Sequence, residues 1–469
     1  MNNTVIIWLL LPVLLGLGLV TIQQLPKLSA LLGSLFPLIL AVLALVYSRG
    51  LTLIVLGRNF TLTDNLLFFG RTTQITADQL GIIALLYFLC FAWNVISSLF
   101  NVGRWFNSLT LIITALWTSV QVITPFLYSA VLVELIALIS VPLLSPRGTP
   151  AKSGIIRFLS MQTIAMPLIL LSGWMVTGIE TSPSAEALVL RGSLLVIAGF
   201  SLWAGIFPLH SWLPMLTEES HPWTISFLQT IMQISLAIFF LKFLNQYAWL
   251  RNLEEIKLVL KWIGALCIVS AGILSVFQKK LSRVFGYLYL SGTGYIVLSM
   301  AFQQQGWLNL FTQYLLPRVF AYWSLGYTLS LLREAIGSEQ LNTSELKGLI
   351  WRYPLSSILL LGSLLNIIGM PLFSLFPSNR ILLGILASES LPLRLFVSFG
   401  LIGMILMVLK VLGVVLQAPD TISEDKKERT LMIVPVVLII LVMVLGGIFP
   451  QFFTAPVQNL LISFQNLLN

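Results

Sequence analysis

Apolar runs of roughly twenty residues follow one another along almost the whole chain, and that pattern limits the fold more than any motif does. A run of that length crosses a bilayer as an α-helix. Inside lipid, only helices and closed barrels satisfy every backbone N–H and C=O. Of 469 residues, 58% are hydrophobic and 9% charged, more apolar surface than a soluble domain hides. The expected fold is an all-α polytopic membrane protein. About fourteen spans satisfy the ~17–25-residue rule. They lie near 4–21, 28–46, 80–101, 107–122, 124–144, 155–177, 189–209, 224–244, 256–277, 284–302, 308–336, 353–376, 380–417 (two spans or one broken pair) and 431–449. The first lacks a basic leader and a small-residue cleavage site, so it reads as a retained span.

Lys and Arg in the short loops set the expected orientation. Lys27, Arg104, Arg147, Lys152, Arg157, Lys279, Lys280, Arg283, Lys347, Arg352, Lys426, Lys427 and Arg429 follow odd-numbered spans. Those loops are placed in the cytoplasm or its equivalent, with both termini on the opposite side. Arg251, Lys257 and Lys261 go against the bias. The run from Asp420 to Arg429 reads as a solvated loop. One loop, 47–79, is not helical in pattern. Its strand-like stretches Leu51–Leu56 and Leu66–Phe69 suggest one short extramembrane hairpin.

The chemistry is sparse. His210 and His221 are the only histidines and no Cys-x-x-Cys is present, so no metal or redox cofactor is assigned. Cys90 and Cys267 sit in apolar runs and read as small hydrophobes. Gly292-Thr293-Gly294 is a lone fragment inside a span, not a phosphate loop. The net charge of +9 is scattered and forms no stripe for nucleic acid. Ionisable residues inside spans are then the candidates, because unpaired charge in hydrocarbon is costly. Glu134 reads as a proton-relay carboxylate or as a protonated acid bonded to a neighbouring helix. With no cation beside it, it is expected to carry its proton. Arg318 is a relay candidate or a cation paired with a backbone carbonyl. Arg380 faces a cavity or the interface, and Gln233 reads as an interhelical hydrogen bond. Lys279 and Lys280 read as positive-inside anchors.

Two interruptions match each other. Phe207-Pro208-Leu209-His210-Ser211-Trp212-Leu213-Pro214 and Gly369-Met370-Pro371-Leu372-Phe373-Ser374-Leu375-Phe376-Pro377 each place two prolines six residues apart in apolar sequence. Such pairs point to discontinuous helices at a transport site. His210-Ser211-Trp212-Leu213-Pro214 resembles the His-x-Trp-Leu-Pro signature of the antiporter-like membrane subunits of complex I, their photosynthetic relatives and multisubunit cation/proton antiporters. Ser282–Tyr287 with Ser291–Tyr295, Leu346–Pro354, Gly369–Asn379 and Gly446–Pro450 are similar to further segments of that family, in family order.

The resemblance implies fourteen helices, two inverted five-helix repeats, broken helices near 203–214 and 369–380, and an early hairpin. It divides the chain into 1–106, repeats at 107–245 and 256–417, and a charged loop with a last helix at 420–469. It also implies a central row of buried Lys, Glu and His in which a glutamate pairs with a lysine. Glu134 matches the glutamate. Trp203 stands at the lysine, Ile234 or Ser235 at a second lysine, Arg318 at a histidine, Asn379 at a further charge, and Leu372 at a proline. The implied function is an antiporter-like membrane-arm subunit of a complex I-type assembly, structural or coupling, with reduced or absent proton translocation. The implied partners are other hydrophobic subunits and lipids, in a bacterial inner membrane or a thylakoid membrane. Two alternatives stay open: active proton or cation translocation using Glu134 with Arg318 or Arg380, and a partner subunit in inorganic-carbon uptake.

Overall fold

The computed structural model describes residues 5–418, 433–458 and 464, apart from 23, 49–52, 56–57, 61–64, 69–70, 76, 101, 125–126, 146–151, 182–185 and 303–306. The charged run at 420–429 lies outside the described residues, as does Arg147. The helices are α1 (Val5–Thr21), α2 (Pro26–Ser48), α3 (Ala77–Asn94), α4 (Phe106–Val122), α5 (Leu127–Leu144), α6 (Ser153–Thr181), α7 (Glu186–Ala204), α8 (Trp212–Glu219), α9 (Pro222–Gln246) and α10 (Ala248–Arg251). They continue as α11 (Glu254–Val276), α12 (Leu281–Ala301), α13 (Trp307–Ile336), α14 (Leu349–Arg352), α15 (Pro354–Ile368), α16 (Phe376–Glu389), α17 (Leu391–Leu416), α18 (Ile433–Ile448) and α19 (Gln451–Gln458). Among the described residues, eight helices are long and apolar enough to cross a membrane. Four shorter apolar ones accompany them: Ile7–Thr21, Phe106–Val122, Tyr128–Leu144 and Pro354–Ile368.

Between α2 and α3 the chain forms strands β1 (Leu53–Val55), β2 (Arg58–Phe60), β3 (Asn65–Phe68) and β4 (Arg71–Gln74). The expected single hairpin is not what forms. β1 pairs with β2, Leu53 opposite Phe60, and β3 pairs with β4, Asn65 opposite Gln74. Each pair is joined by two residues ending in glycine, Gly57 and Gly70. Each strand therefore pairs with its immediate neighbour in the chain.

Contacts divide the chain into two units. The first comprises Met1–Ala204, Phe227–Asn252 and Asn459–Asn469; the second, Gly205–Ser226 and Leu253–Gln458. In the first, a core of Trp8, Leu40, Ala44, Tyr87 and Cys90 joins α1, α2 and α3. Some buried polar groups there find partners across helices, which offsets their cost in hydrocarbon. Tyr87 donates to the Trp8 carbonyl at 2.5 Å, Asn94 to the Gly33 carbonyl at 2.8 Å, and Thr110 to the Asn94 side chain at 2.8 Å. Both Cys90 and Cys267 are free and buried.

In the second unit, α11 lies against α12 and α17 at glycine contacts. A Cβ on Gly264 would come 2.9 Å from the Gly294 carbonyl, and one on Gly403 would meet the Gly272 backbone at 2.7 Å. Small residues let helices approach closely where no hydrophobic force drives them together. The stretch 380–417 is two helices, α16 and α17, with Ser390 between them.

Candidate functional site

The first unit places Glu134 on α5 beside α6. Thr163 Oγ1 donates to Glu134 Oε1 at 2.7 Å. The other carboxylate oxygen, Oε2, is buried and has no partner among the described residues, and no ion pair there involves Glu134. One residue before Thr163 on α6, Gln162 turns its amide to the Trp203 carbonyl at 3.3 Å.

Trp203 is 0% exposed at the end of α7. Its ring meets Phe200 edge-on at 5.5 Å, and Phe200 packs on Phe239 at 5.5 Å and Phe240 at 5.0 Å, both on α9. Its indole N–H is buried without a partner among the described residues. Ile234 and Ser235 are buried on α9, and Gln233 is half-buried. The Ser235 carbonyl accepts from Gln121 at 2.8 Å, and Lys242 donates to the Gln121 carbonyl. The sequence reading passed over Lys242, Gln121 and Gln162. Apart from Thr163 and Glu134, these contacts end on backbone carbonyls, which accept hydrogen bonds but cannot take up and pass on a proton.

The second unit contains the first break. The chain leaves α7 after Ala204, passes Gly205 at φ 62°, and turns through Leu209–Ser211 into α8. Pro208 precedes this turn and His210 is buried within it, stacked on Phe207 at 5.3 Å. Trp212 opens α8, and Pro214 lies against Gly286 of α12, where a Cβ would sit 2.6 Å from the Pro214 Cα. The signature proline and the glycine of the next motif are therefore one contact.

About one turn further along α8, Glu218 pairs with Lys280 at 2.5 Å and with Arg283. Lys280 is thus an ion-pair partner within the fold as well as a basic loop residue. Glu218 was missed by the sequence reading, although an acid in so apolar a chain was a signal. Next to it, His221 caps α9, its Nδ1 accepting from the Trp223 N–H at 3.2 Å. Burial first, and then the charge of Arg333, push this imidazole down to about 3.

The second break begins at a Schellman turn. Met370 N–H bonds the Leu365 carbonyl at 3.0 Å and Gly369 N–H the Asn366 carbonyl at 2.9 Å, with Gly369 at φ 77°. Pro371 and Leu372 follow in the loop, and Pro377 sits in the first turn of α16. Leu372 holds φ 76°. A proline ring fixes φ near about −65°, so the residue that the resemblance expects there does not fit this loop. Gly447 of α18 backs onto it, its Cβ position 2.8 Å from the Phe373 carbonyl carbon. Asn379 latches the break from α16, donating to the Ile368 carbonyl at 2.7 Å and accepting from Tyr314 at 2.9 Å. Arg380, next in sequence, is exposed.

Arg318 on α13 is 2% exposed. It donates to the Ile367 carbonyl at 3.2 Å, and its guanidinium carbon lies 4.9 Å from the Tyr295 ring and 5.7 Å from the Tyr314 ring. No carboxylate pairs with it among the described residues.

Residues 170–406, half of the chain, match the family described as NADH:quinone oxidoreductase/Mrp antiporter, transmembrane. The chain belongs to this family. The matched part of this antiporter-family chain holds Trp203, both breaks, Arg318 and Asn379; Glu134 precedes it. A curated relative, NADH-quinone oxidoreductase subunit N of Buchnera aphidicola, is 26% identical over 207 residues, 43% of this chain and 42% of the relative. This chain therefore matches less than half the length of that relative. Among solved structures, a chain of the membrane-bound sulfane sulfur reductase, an archaeal respiratory membrane complex, superposes with TM-score 0.81 at 16% identity, covering 100% of this chain and 98% of that one. A chain of the Mrp complex from a Dietzia species gives 0.79 at 15%, with 100% of each covered. One from respiratory complex I of Thermus thermophilus gives 0.72 at 17%, covering 95% and 97%. At these identities the likeness is one of fold.

Proposed function

We propose that this chain is an antiporter-like membrane-arm subunit of a complex I-type assembly whose role is structural or coupling, with proton translocation reduced or absent. This reading takes fourteen spans, two inverted repeats, and both termini on the non-cytoplasmic side. One observation carries it. Trp203, closed in by Phe200 and fully buried, stands where the resemblance implies a lysine, and Glu134 in the same unit has a threonine hydroxyl for its partner. A hydroxyl orients a carboxyl but is not a base to exchange protons with at neutral pH. The exposure of Arg380 and the absence of a carboxylate at Arg318 among the described residues support the same reading over one that pairs these arginines with Glu134.

The test is Glu134→Gln in the assembled complex, reconstituted in proteoliposomes with a pH-sensitive dye inside. Flux through the complex is expected to change by less than about twofold, a barrier change under ~0.4 kcal/mol. A loss of tenfold or more with normal assembly would sink the reading.

A further inference from the structure

In the second unit, Lys279, Lys347, Arg352 and Lys410 gather around the ends of α11 and α17. α11 stops at Val276, and Lys410 of α17 reaches across to it. Its Nζ donates to the Val276 carbonyl at 2.8 Å and to the Gln278 carbonyl at 3.0 Å. An ammonium has three protons, so one is left over, and carbonyls do not neutralise its charge. Lys279 comes next in the chain and is exposed, its backbone carbonyl accepting from the Thr343 N–H at 2.8 Å. From Thr343 the chain turns through Leu346 to Lys347 and Gly348, and the Gly348 N–H meets the Val414 carbonyl of α17 at 3.4 Å. α14 follows, with Trp351 and Arg352 both exposed. Neither Lys279 nor Lys410 forms an ion pair among the described residues. Two acids close by are already engaged. Glu218 holds Lys280 and Arg283, and Glu345 accepts from the backbone and side chain of Asn342 at 3.1 and 3.2 Å.

An apolar ridge leads up to these cations. Leu395, Phe399, Ile402, Leu406 and Leu409 of α17 are each more than half exposed. Their spacing of three and four puts them on one helix face, about 21 Å long at about 1.5 Å per residue. That is longer than the ~15 Å of one leaflet, half of a hydrocarbon core of about 30 Å. Trp351 and Phe277 are exposed beside the basic residues, and tryptophan collects where membrane meets water. We propose that this corner binds an anionic phospholipid, its phosphate on the ammonium groups of Lys279 and Lys410 and an acyl chain along the α17 ridge. Basic clusters at the ends of membrane helices attract such headgroups. An acidic protein surface would match the cations but not the ridge. This inference does not rest on whether the chain moves protons.

The test uses the full-length chain in micelles holding equal amounts of phosphatidylglycerol and phosphatidylcholine. Native mass spectrometry identifies the last lipid released as collision energy rises. The wild type is expected to retain phosphatidylglycerol over phosphatidylcholine by at least about fivefold, the factor that one cation near an anionic surface supplies. Lys279→Gln, which touches no helix end, lowers this preference at least about twofold at an unchanged melting temperature. Adding Lys410→Gln abolishes it, whereas Lys410→Arg alone keeps it. Lys27→Gln, in the first unit, leaves it as it was. Equal retention of the two lipids by the wild type would mean that these cations face an acidic neighbouring subunit instead, and would overturn the proposal. So would a wild-type preference in Lys279→Gln or in the double variant.

Discussion

Glu134 on α5 in the first unit and Arg318 on α13 in the second are both charged residue types in apolar surroundings, and neither forms an ion pair among the described residues. Their surroundings differ in a way that follows from their chemistry. The Glu134 carboxyl has one threonine hydroxyl for a partner and a half-buried seat on α5. A guanidinium has no neutral form to fall back on. Arg318 lies against two mutually stacked tyrosine rings and donates to a carbonyl, and its Nε and Nη2 have no partner among the described residues. In neither unit does an acid face a base at these positions.

The comparison can be broken most directly at Trp203. Trp203→Ala removes a fully buried indole, and a loss of about 3–5 kcal/mol is expected in reversible denaturation in bicelles. A loss below about 1 kcal/mol would mean the aromatic packing around it is loose. Arg318→Met comes next. Replacing a buried cation that has no ion pair among the described residues by an apolar side chain is expected to leave stability unchanged or raise it by about 1–3 kcal/mol. A loss larger than that would show that a partner already neutralises the arginine.

His221 sharpens the contrast from outside the spans. Its folded value of about 3 lies below its ordinary 6.5, so the unfolded chain binds more protons between the two, and stability falls as pH drops through that window. A loss of about 1.4 kcal/mol at pH 5.5 is expected, and its disappearance in His221→Asn, which keeps a cap, checks the assignment. The smallest effect is Thr163→Val, about 1 kcal/mol, from the single hydrogen bond on Glu134.

The apolar helices and both breaks were readable because their signals are local: apolar runs, paired prolines and glycines within a few residues. The strand pairing was not legible because each apolar strand pairs with a short neighbouring segment, Arg58–Phe60 or Arg71–Gln74, that carries little apolar alternation of its own. Lys242, Gln121 and Gln162 escaped notice because their partners are backbone carbonyls 121, 114 and 41 residues away, and a carbonyl has no residue type to recognise. Glu218 likewise waits on Lys280, 62 residues later. Arg318 and Arg380 looked equivalent in the sequence. One is buried and the other exposed because packing against α12 and α15 selects the face of α13, while Asn379 rather than Arg380 is turned inward on α16.

The setting of Arg318 also bears on how the chain is made. An arginine near the middle of a span adds about 2.5–3.5 kcal/mol to the free energy of inserting that helix on its own. One of the two rings beside it, Tyr295, belongs to α12, the helix synthesised just before α13. The two are therefore expected to enter the bilayer as a hairpin, with α12 retained at the translocon until α13 arrives. A chain truncated between them would strand α12 beside an exit it cannot usefully leave.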